Sequence, residues 1–369
     1  MYAHSRSRSA RPPLGVAVAL LGLALVACSG NDTTANAPTT ATTPGTVALS
    51  IVTSPPIPTT MVPPTTEAPA TTTTEVAPPV YPLTGLPVTD PAIAARPTLV
   101  VKIDNAPGAR PQTGFNEADL VFEEIVNDRL TRFAMVFQSQ DSDPVGPIRS
   151  GRIQDINLFG SFNHPLFAWS GGNKTVTAAV DASDLVNLSQ LRVPVYFRTT
   201  DKSVPHNLYS RTLALFGKAP AGAQPPVRQF TFRSAGAPLQ GAPSTGVIVA
   251  LDAIDVRWDW DAAKGQYRRT MEGRPHNDAA NGQVTTDNVI VLAMDYLPGI
   301  SDSPDAQTIG SGEAFVLTGG NYVHATWSRN DRLEPFTLTA DDGTIVALTP
   351  GRTFIELPRV GHTLALPGS

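Results

Sequence analysis

Between Cys28 and Val80 the chain runs for 53 residues with 16 Thr, 10 Pro and no Lys, Arg or aromatic side chain. A stretch of this kind cannot bury enough apolar surface to offset its conformational entropy, so it contributes no core. Its proline content favours extended geometry, with a reach of roughly 160 Å at about 3.1 Å per residue. It therefore reads as a tether, and it divides the chain into an export segment before it and a folded body after it.

The export segment is short. Arg6, Arg8 and Arg11 precede an uncharged run from Leu14 to Ala27. Fourteen residues are too few to span a bilayer, which needs about twenty, so the run reads as a signal h-region. It ends in Leu25-Val26-Ala27-Cys28, and Cys28 is the one cysteine of the chain. Small residues before a lone thiol form a lipobox, in which the thiol becomes an acylated N-terminus. The expectation is a protein held on the outer face of the cell membrane through lipid on Cys28, with palmitate among its acyl chains. A single cysteine also excludes a disulfide framework and a cysteine zinc site.

Residues 81–369 carry the fold. The full chain has 27 Lys+Arg against 32 Asp+Glu, net −5, with no basic run. That balance argues against nucleic acid, whose binding depends on phosphate neutralisation. The pattern predicts an α+β body in two parts: a mixed-sheet α/β sandwich over 81–230 and a β-rich domain over 231–369. The Gly/Ala/Pro-rich stretches 217–228 and 234–246 mark the boundary. Strands are expected at 98–103, 119–126, 131–138 and 166–169, although 119–126 also tolerates a helix. Helices are expected over 152–162, with Ser150 as N-cap, and over 208–217. In the second part, Lys264-Gly265 turns a hairpin between 256–260 and 266–270.

The runs VKIDNAPGARPQTGF, ADLVFEEIV, TRFAMVFQ, GPIRSGR, WSGGN and PHNLY resemble the N-terminal domain of the YerB-like lipoproteins. The later YRR, NVIV, ATWSR and GRTFIEL are similar to that family's C-terminal domain. The family is one of unknown function. Phe354 departs from its usual Trp, and Gly151 from a larger small residue. The resemblance implies an anchored extracytoplasmic α+β protein and brings no reaction, cofactor or ligand.

The residues themselves suggest a polar site in the first part. Asp104, Asn105, Arg110 and Gln112 follow the first strand, and Ser170, Gly171, Gly172 and Asn173 follow another. If those strands are parallel neighbours, both loops open at the carboxyl edge of the sheet, where such sheets bind ligands. Arg149, Ser150 and Arg152, at a helix start, would add two guanidiniums facing an anion. The alternative is that these arginines pair with Asp119, Glu123 or Glu124. Asn207 beside His206 completes the set, expected to share one concavity. Two functions fit: a binding or scaffold module for an envelope polymer or a membrane-protein partner, or an envelope hydrolase cutting a glycan or phosphodiester. The hydrolase would use Glu123, Glu124 or Asp104 with His206 as acid and base. No cofactor motif or metal-ligand spacing is present, and Trp258, Trp260, Tyr267 and Trp327 read as core.

Overall fold

The computed structural model describes residues 78–368. The export segment, Cys28 and nearly all of the tether lie outside them. Five strands come from the first part: β1 (Leu99–Asp104), β2 (Leu120–Ile125), β3 (Thr131–Phe137), β4 (Leu166–Ala168) and β5 (Val186–Asn187). Seven long ones come from the second: β6 (Ala242–Leu251), β7 (Ile254–Asp261), β8 (Gln266–Met271), β9 (Asn288–Leu292), β10 (Gly310–Thr318), β11 (Asn321–Arg329) and β12 (Thr353–Leu357). Among the described residues they join in one sheet of order β8-β7-β6-β11-β10-β9-β12-β2-β3-β1-β4-β5. The segment 119–126 is thus a strand, hairpinned to β3 in antiparallel register with Glu124 opposite Arg132. The architecture is α+β and rich in sheet.

Burial explains the two kinds of strand. In β1, β2 and β3 every residue is buried, which marks a sheet covered on both faces. In β7, Ile254, Val256 and Trp258 are buried while Asp255 and Arg257 are exposed. That alternation is the signature of a strand with one wet face. The β7–β8 turn closes on Gly265, whose φ of +66° suits a residue without Cβ. Trp258 and Tyr267 are fully buried and Trp327 nearly so, so these aromatics are core.

Either side of residue 230 the chain builds the same two cores. One face of the sheet packs Val101, Ile103, Val121 and Phe133 against Val249, Trp258 and Phe354. The other packs Val100, Leu120 and Phe122 against Phe159, Trp169 and Ile355. The seam is β12, which runs parallel to both β9 and β2. Among the described residues, the helices that border the Arg149–Arg152 segment and the Ser170–Asn173 loop are α1 (Gln154–Leu158) and α2 (Lys174–Ala182). The helix expected over 152–162 is shorter, and its N-cap is Ile153, not Ser150. The helix expected over 208–217 starts only at Thr212, because Leu208–Tyr209 pairs with Phe197–Arg198 as a strand.

The seam carries charge. Glu123 lies opposite Glu356 in the β2–β12 ladder, and both are fully buried. Arg269 on β8 reaches between them, bonded to Glu123 and 3.5 Å from Glu356 Oε1. Thr131 Oγ1 donates to Glu123 at 2.5 Å and Trp258 Nε1 to Glu356 at 2.9 Å. Burial, then the neighbouring Glu123, holds Glu356 well above the usual carboxylate range. Removing Arg269 would leave the buried acidic pair without its cation. We expect Arg269→Ala to lose about 3–5 kcal/mol in urea unfolding. A loss below about 1 kcal/mol would show that the guanidinium does not hold the seam.

Candidate functional site: an arginine-lined cleft

β1 and β4 are parallel neighbours, so the loops that follow them leave the same edge of the sheet. The segment before α1 threads between those loops. Arg149 N donates to Lys102 O at 2.9 Å, and Ser170 N donates to Arg149 O at 3.0 Å. Arg149, Ser150, Arg152 and the run Ser170–Asn173 thereby line one open cleft of about 430 Å³. Gly151 belongs here for want of space: a Cβ would sit 2.7 Å from the buried Trp169 ring and 3.1 Å from Asp155 Oδ2. α2 begins at the cleft with Asn173 as N-cap, its Oδ1 accepting from Val176 N at 2.9 Å.

The wall beneath is ionic. Lys102, fully buried, bonds Glu124 and lies 2.8 Å from Asp155 Oδ1. Gln154 Nε2 donates to the second oxygen of Glu124 at 2.5 Å. Burial, then Asp155, pushes the Glu124 carboxyl up to about 7, against the pull of Lys102. Arg132, nine-tenths buried, donates to Ser150 O at 2.6 Å. Burial, then Arg152, pushes it down to about 9. Burial also lowers Arg152, and Glu124 and Asp155 oppose that shift. Arg149 Nε stands 3.1 Å from Asp104 Oδ2, yet its N–H makes no hydrogen bond. His206 Nδ1 takes that same oxygen at 2.7 Å.

Four cations (Lys102, Arg132, Arg149, Arg152) thus meet three carboxylates (Asp104, Glu124, Asp155), one of them half protonated near neutrality. Asp119, Glu123 and Glu124, expected as partners of the arginines, are engaged elsewhere. Asp119 accepts from Gln138 N at 2.5 Å and Ser139 N at 2.8 Å, Glu123 holds Arg269, and Glu124 holds Lys102. Arg149 and Arg152 do not open a helix together, because α1 starts after both.

The other predicted residues divide. Asn105, Arg110 and Gln112 turn to the opposite face of the sheet, toward the seam. Asn105 Nδ2 donates to Glu123 at 3.2 Å, and Gln112 Nε2 donates to Asn105 Oδ1 at 3.2 Å. Arg110 bonds Glu272 and, with Pro107, His276 and Met271, lines a second cleft of about 580 Å³. His276 is buried beside Arg269, and burial first, then Arg269, holds its pKa well below the usual value. Neutral, it accepts from Arg269 at Nδ1 (2.6 Å) and donates from Nε2 to Gln112 at 3.1 Å. Asn207 Oδ1 accepts from Arg198 at 2.7 Å. The single concavity expected from sequence does not form: one cleft takes Arg149, Ser150, Arg152 and Ser170–Asn173, a second takes Arg110, and Asp104, Asn105, Gln112, His206 and Asn207 line neither.

Glu123 and Glu124 are consecutive on β2 and point to opposite faces. Both are sealed, and neither bonds His206, so the histidine's carboxylate partner is Asp104. Sequence reasoning missed Lys102, Arg132, Arg269 and Glu356. Lys102, Arg132 and Glu356 are charges inside largely apolar strand runs, which was the available signal; Arg269, beside Arg268 in QYRRTM, gave none.

Comparison with known proteins fits this architecture. Residues 83–223 match the model described as the N-terminal domain of a protein of unknown function (DUF3048), and residues 247–355 match that family's C-terminal domain. The chain is 28% identical over 288 residues to "Putative lipoprotein YerB" of Bacillus subtilis (strain 168), covering 75% of this chain and 85% of that one. The crystal structure of YerB protein from Bacillus subtilis superposes with a TM-score of 0.69 at 22% identity, over 78% of this chain and 99% of that one. That likeness shows the fold.

The raised Glu124 carries a pH dependence. In the native state it binds a proton over a range where the unfolded carboxyl has already lost it. It therefore stabilises the fold at low pH, and that contribution declines as pH rises from about 4.5 through about 7. Glu124→Gln should flatten the unfolding free energy across this window relative to wild type. Parallel wild-type and variant profiles would remove the assignment.

Proposed function

We propose that this chain, which belongs to the DUF3048 protein family, is a lipid-anchored binding module that takes an anionic component of the cell envelope in its arginine-lined cleft. The observation that carries the reading is the charge around the cleft: Lys102, Arg132, Arg149 and Arg152 against Asp104, Glu124 and Asp155, with Arg149 and Arg152 on the open lining. Guanidiniums suit phosphate and carboxylate because their planar N–H groups donate in pairs. Polar side chains around them (Ser150, Ser170, Asn173) fix orientation without supplying a nucleophile–base pair. The hydrolase alternative keeps one acid/base pair, Asp104 with His206.

The lipobox at Cys28 and a relative named as a lipoprotein support the anchor. Two or more acyl chains hold far more firmly than one. Placing the cleft outside the membrane at the end of a tether would let it search the envelope.

Two experiments test the reading. Full-length protein in detergent should gain thermal stability with inorganic phosphate and with a short glycerol-phosphate oligomer, and not with a neutral chitooligosaccharide. The gain follows ligand occupancy, about 2.7 kcal/mol at a hundredfold excess over Kd. The Arg149→Ala/Arg152→Ala double variant should lose it while keeping its own fold. Equal shifts in both proteins would refute the cleft. Separately, Cys28→Ser should move the protein from the membrane fraction to the soluble one, and retention on membranes would count against the anchor.

A further inference from the structure

The cleft is not built by the first part of the chain alone. Tyr296–Pro298 and Pro304–Ala306 pair antiparallel as a narrow ribbon from the second part. Its root is fixed. Tyr296 Oη donates to Leu357 O at 2.7 Å and accepts from Ile125 N at 3.2 Å, and Ala306 N donates to Gln154 Oε1 at 2.7 Å.

Its tip, Gly299–Ser303, meets the cleft. Arg152 Nε donates to Ser303 Oγ at 3.1 Å, and Asn173 Nδ2 donates to Ser301 Oγ at 3.0 Å. Asn127 Nδ2 holds Ser301 O at 2.8 Å. Ile300 packs at the edge of the core.

Two features make this contact unusual. The donors that bind the tip include a cleft guanidinium and the N-cap side chain of α2, and they are spent on neutral hydroxyl oxygens. An oxyanion is the stronger acceptor for the same N–H groups, since charge-assisted bonds are roughly twice as strong as neutral ones. The tip also holds two consecutive non-glycine residues in the left-handed region, Ser301 and Asp302, both at φ +57°. Facing it, Asp128 and Arg129 do the same at +61° and +58°. Such backbone is strained and persists only while its surroundings hold it.

We propose that the Gly299–Ser303 tip is a displaceable cover whose two seryl oxygens occupy the places of ligand oxygens on Arg152 and Asn173. This rests on the anion-binding reading of the cleft, and it adds the ligand's requirement: at least two oxyanion oxygens, as in a phosphate ester, able to take both donors together. Binding exchanges two neutral acceptors for charged ones and releases the strained tip, while the ribbon root stays in place. Closure lowers the apparent affinity, because only the fraction of molecules with the cover open is competent to bind.

The full-length protein in detergent is titrated with the glycerol-phosphate oligomer by calorimetry, and amide exchange of residues 299–303 is followed with and without it. Ser301→Ala/Ser303→Ala should bind about three- to tenfold more tightly than wild type. In wild type the tip amides should exchange faster once the oligomer is bound. Equal or weaker binding by the serine variant, or slower exchange on binding, overturns the cover and makes the tip a passive turn or a ligand contact. Should the serine variant fail to fold, the exchange measurement on wild type decides alone. The Arg149→Ala/Arg152→Ala variant separates the two ideas. If it binds the oligomer as wild type does, the anion cleft itself fails, whatever the serines do.

Discussion

Everything in this molecule is arranged around two carboxylates lying side by side in the middle of a sheet. Glu123 and Glu356 occupy opposed positions in the β2–β12 ladder, fully buried. Like charges so placed repel, and neither has water to screen it. The arrangement stands because β8, distant in sequence, brings Arg269 between them, with the rings of Phe133, Trp258 and Phe354 within 6 Å of its guanidinium. That geometry requires β2, β8 and β12 together. The pairing that joins the two parts of the chain is therefore also what makes the buried charge tolerable.

On the reverse face the logic differs. Lys102 binds Glu124 and Asp155, the two carboxylates that act on Arg152, while Asp104 is shared by Arg149 and His206. Gln154 then ties Glu124 to the ribbon through Ala306 N. What is left at the rim is Arg149 and Arg152 with Arg132 behind them, facing solvent and a cover made of serine. A cleft keeps a positive potential only if its own acids are occupied. Here a buried lysine occupies two of the three from beneath the floor.

The sequence disclosed the strands well because both kinds of burial leave a pattern: largely apolar runs in β1 and β3, alternation in β7. It disclosed the cleft for the same reason. Once 98–103 and 166–169 are read as strands, their loops have few places to go, and Arg149, Ser150, Arg152 and Ser170–Asn173 do meet. It did not separate Asn105, Arg110 and Gln112 from that group. Which face a loop residue takes after leaving a strand depends on packing against β8 and His276, more than 150 residues away. The charges Lys102, Arg132, Arg269 and Glu356 were visible but uninterpretable singly. Each is explained only by a partner whose position is a tertiary fact. Helix ends failed where a short tertiary pairing, as at Leu208–Tyr209, overrode local spacing.

The two-part organisation bears on function through the ribbon. Residues 296–306 leave the second part and lie against α1 and the first-part loops, so the cleft's donors are set by one part and their present acceptors by the other. A module that bound its ligand through the first part alone would need no such contact. The dependence runs both ways. Without β12 the first part would present β2 as an open edge, a template for unwanted strand pairing, and without β8 the buried Glu123 would lose Arg269. Sheet continuity and site completion are thus one requirement: the strand that neutralises the seam belongs to the same part of the chain that supplies the cover, and neither contribution can be lost without the other part's chemistry changing.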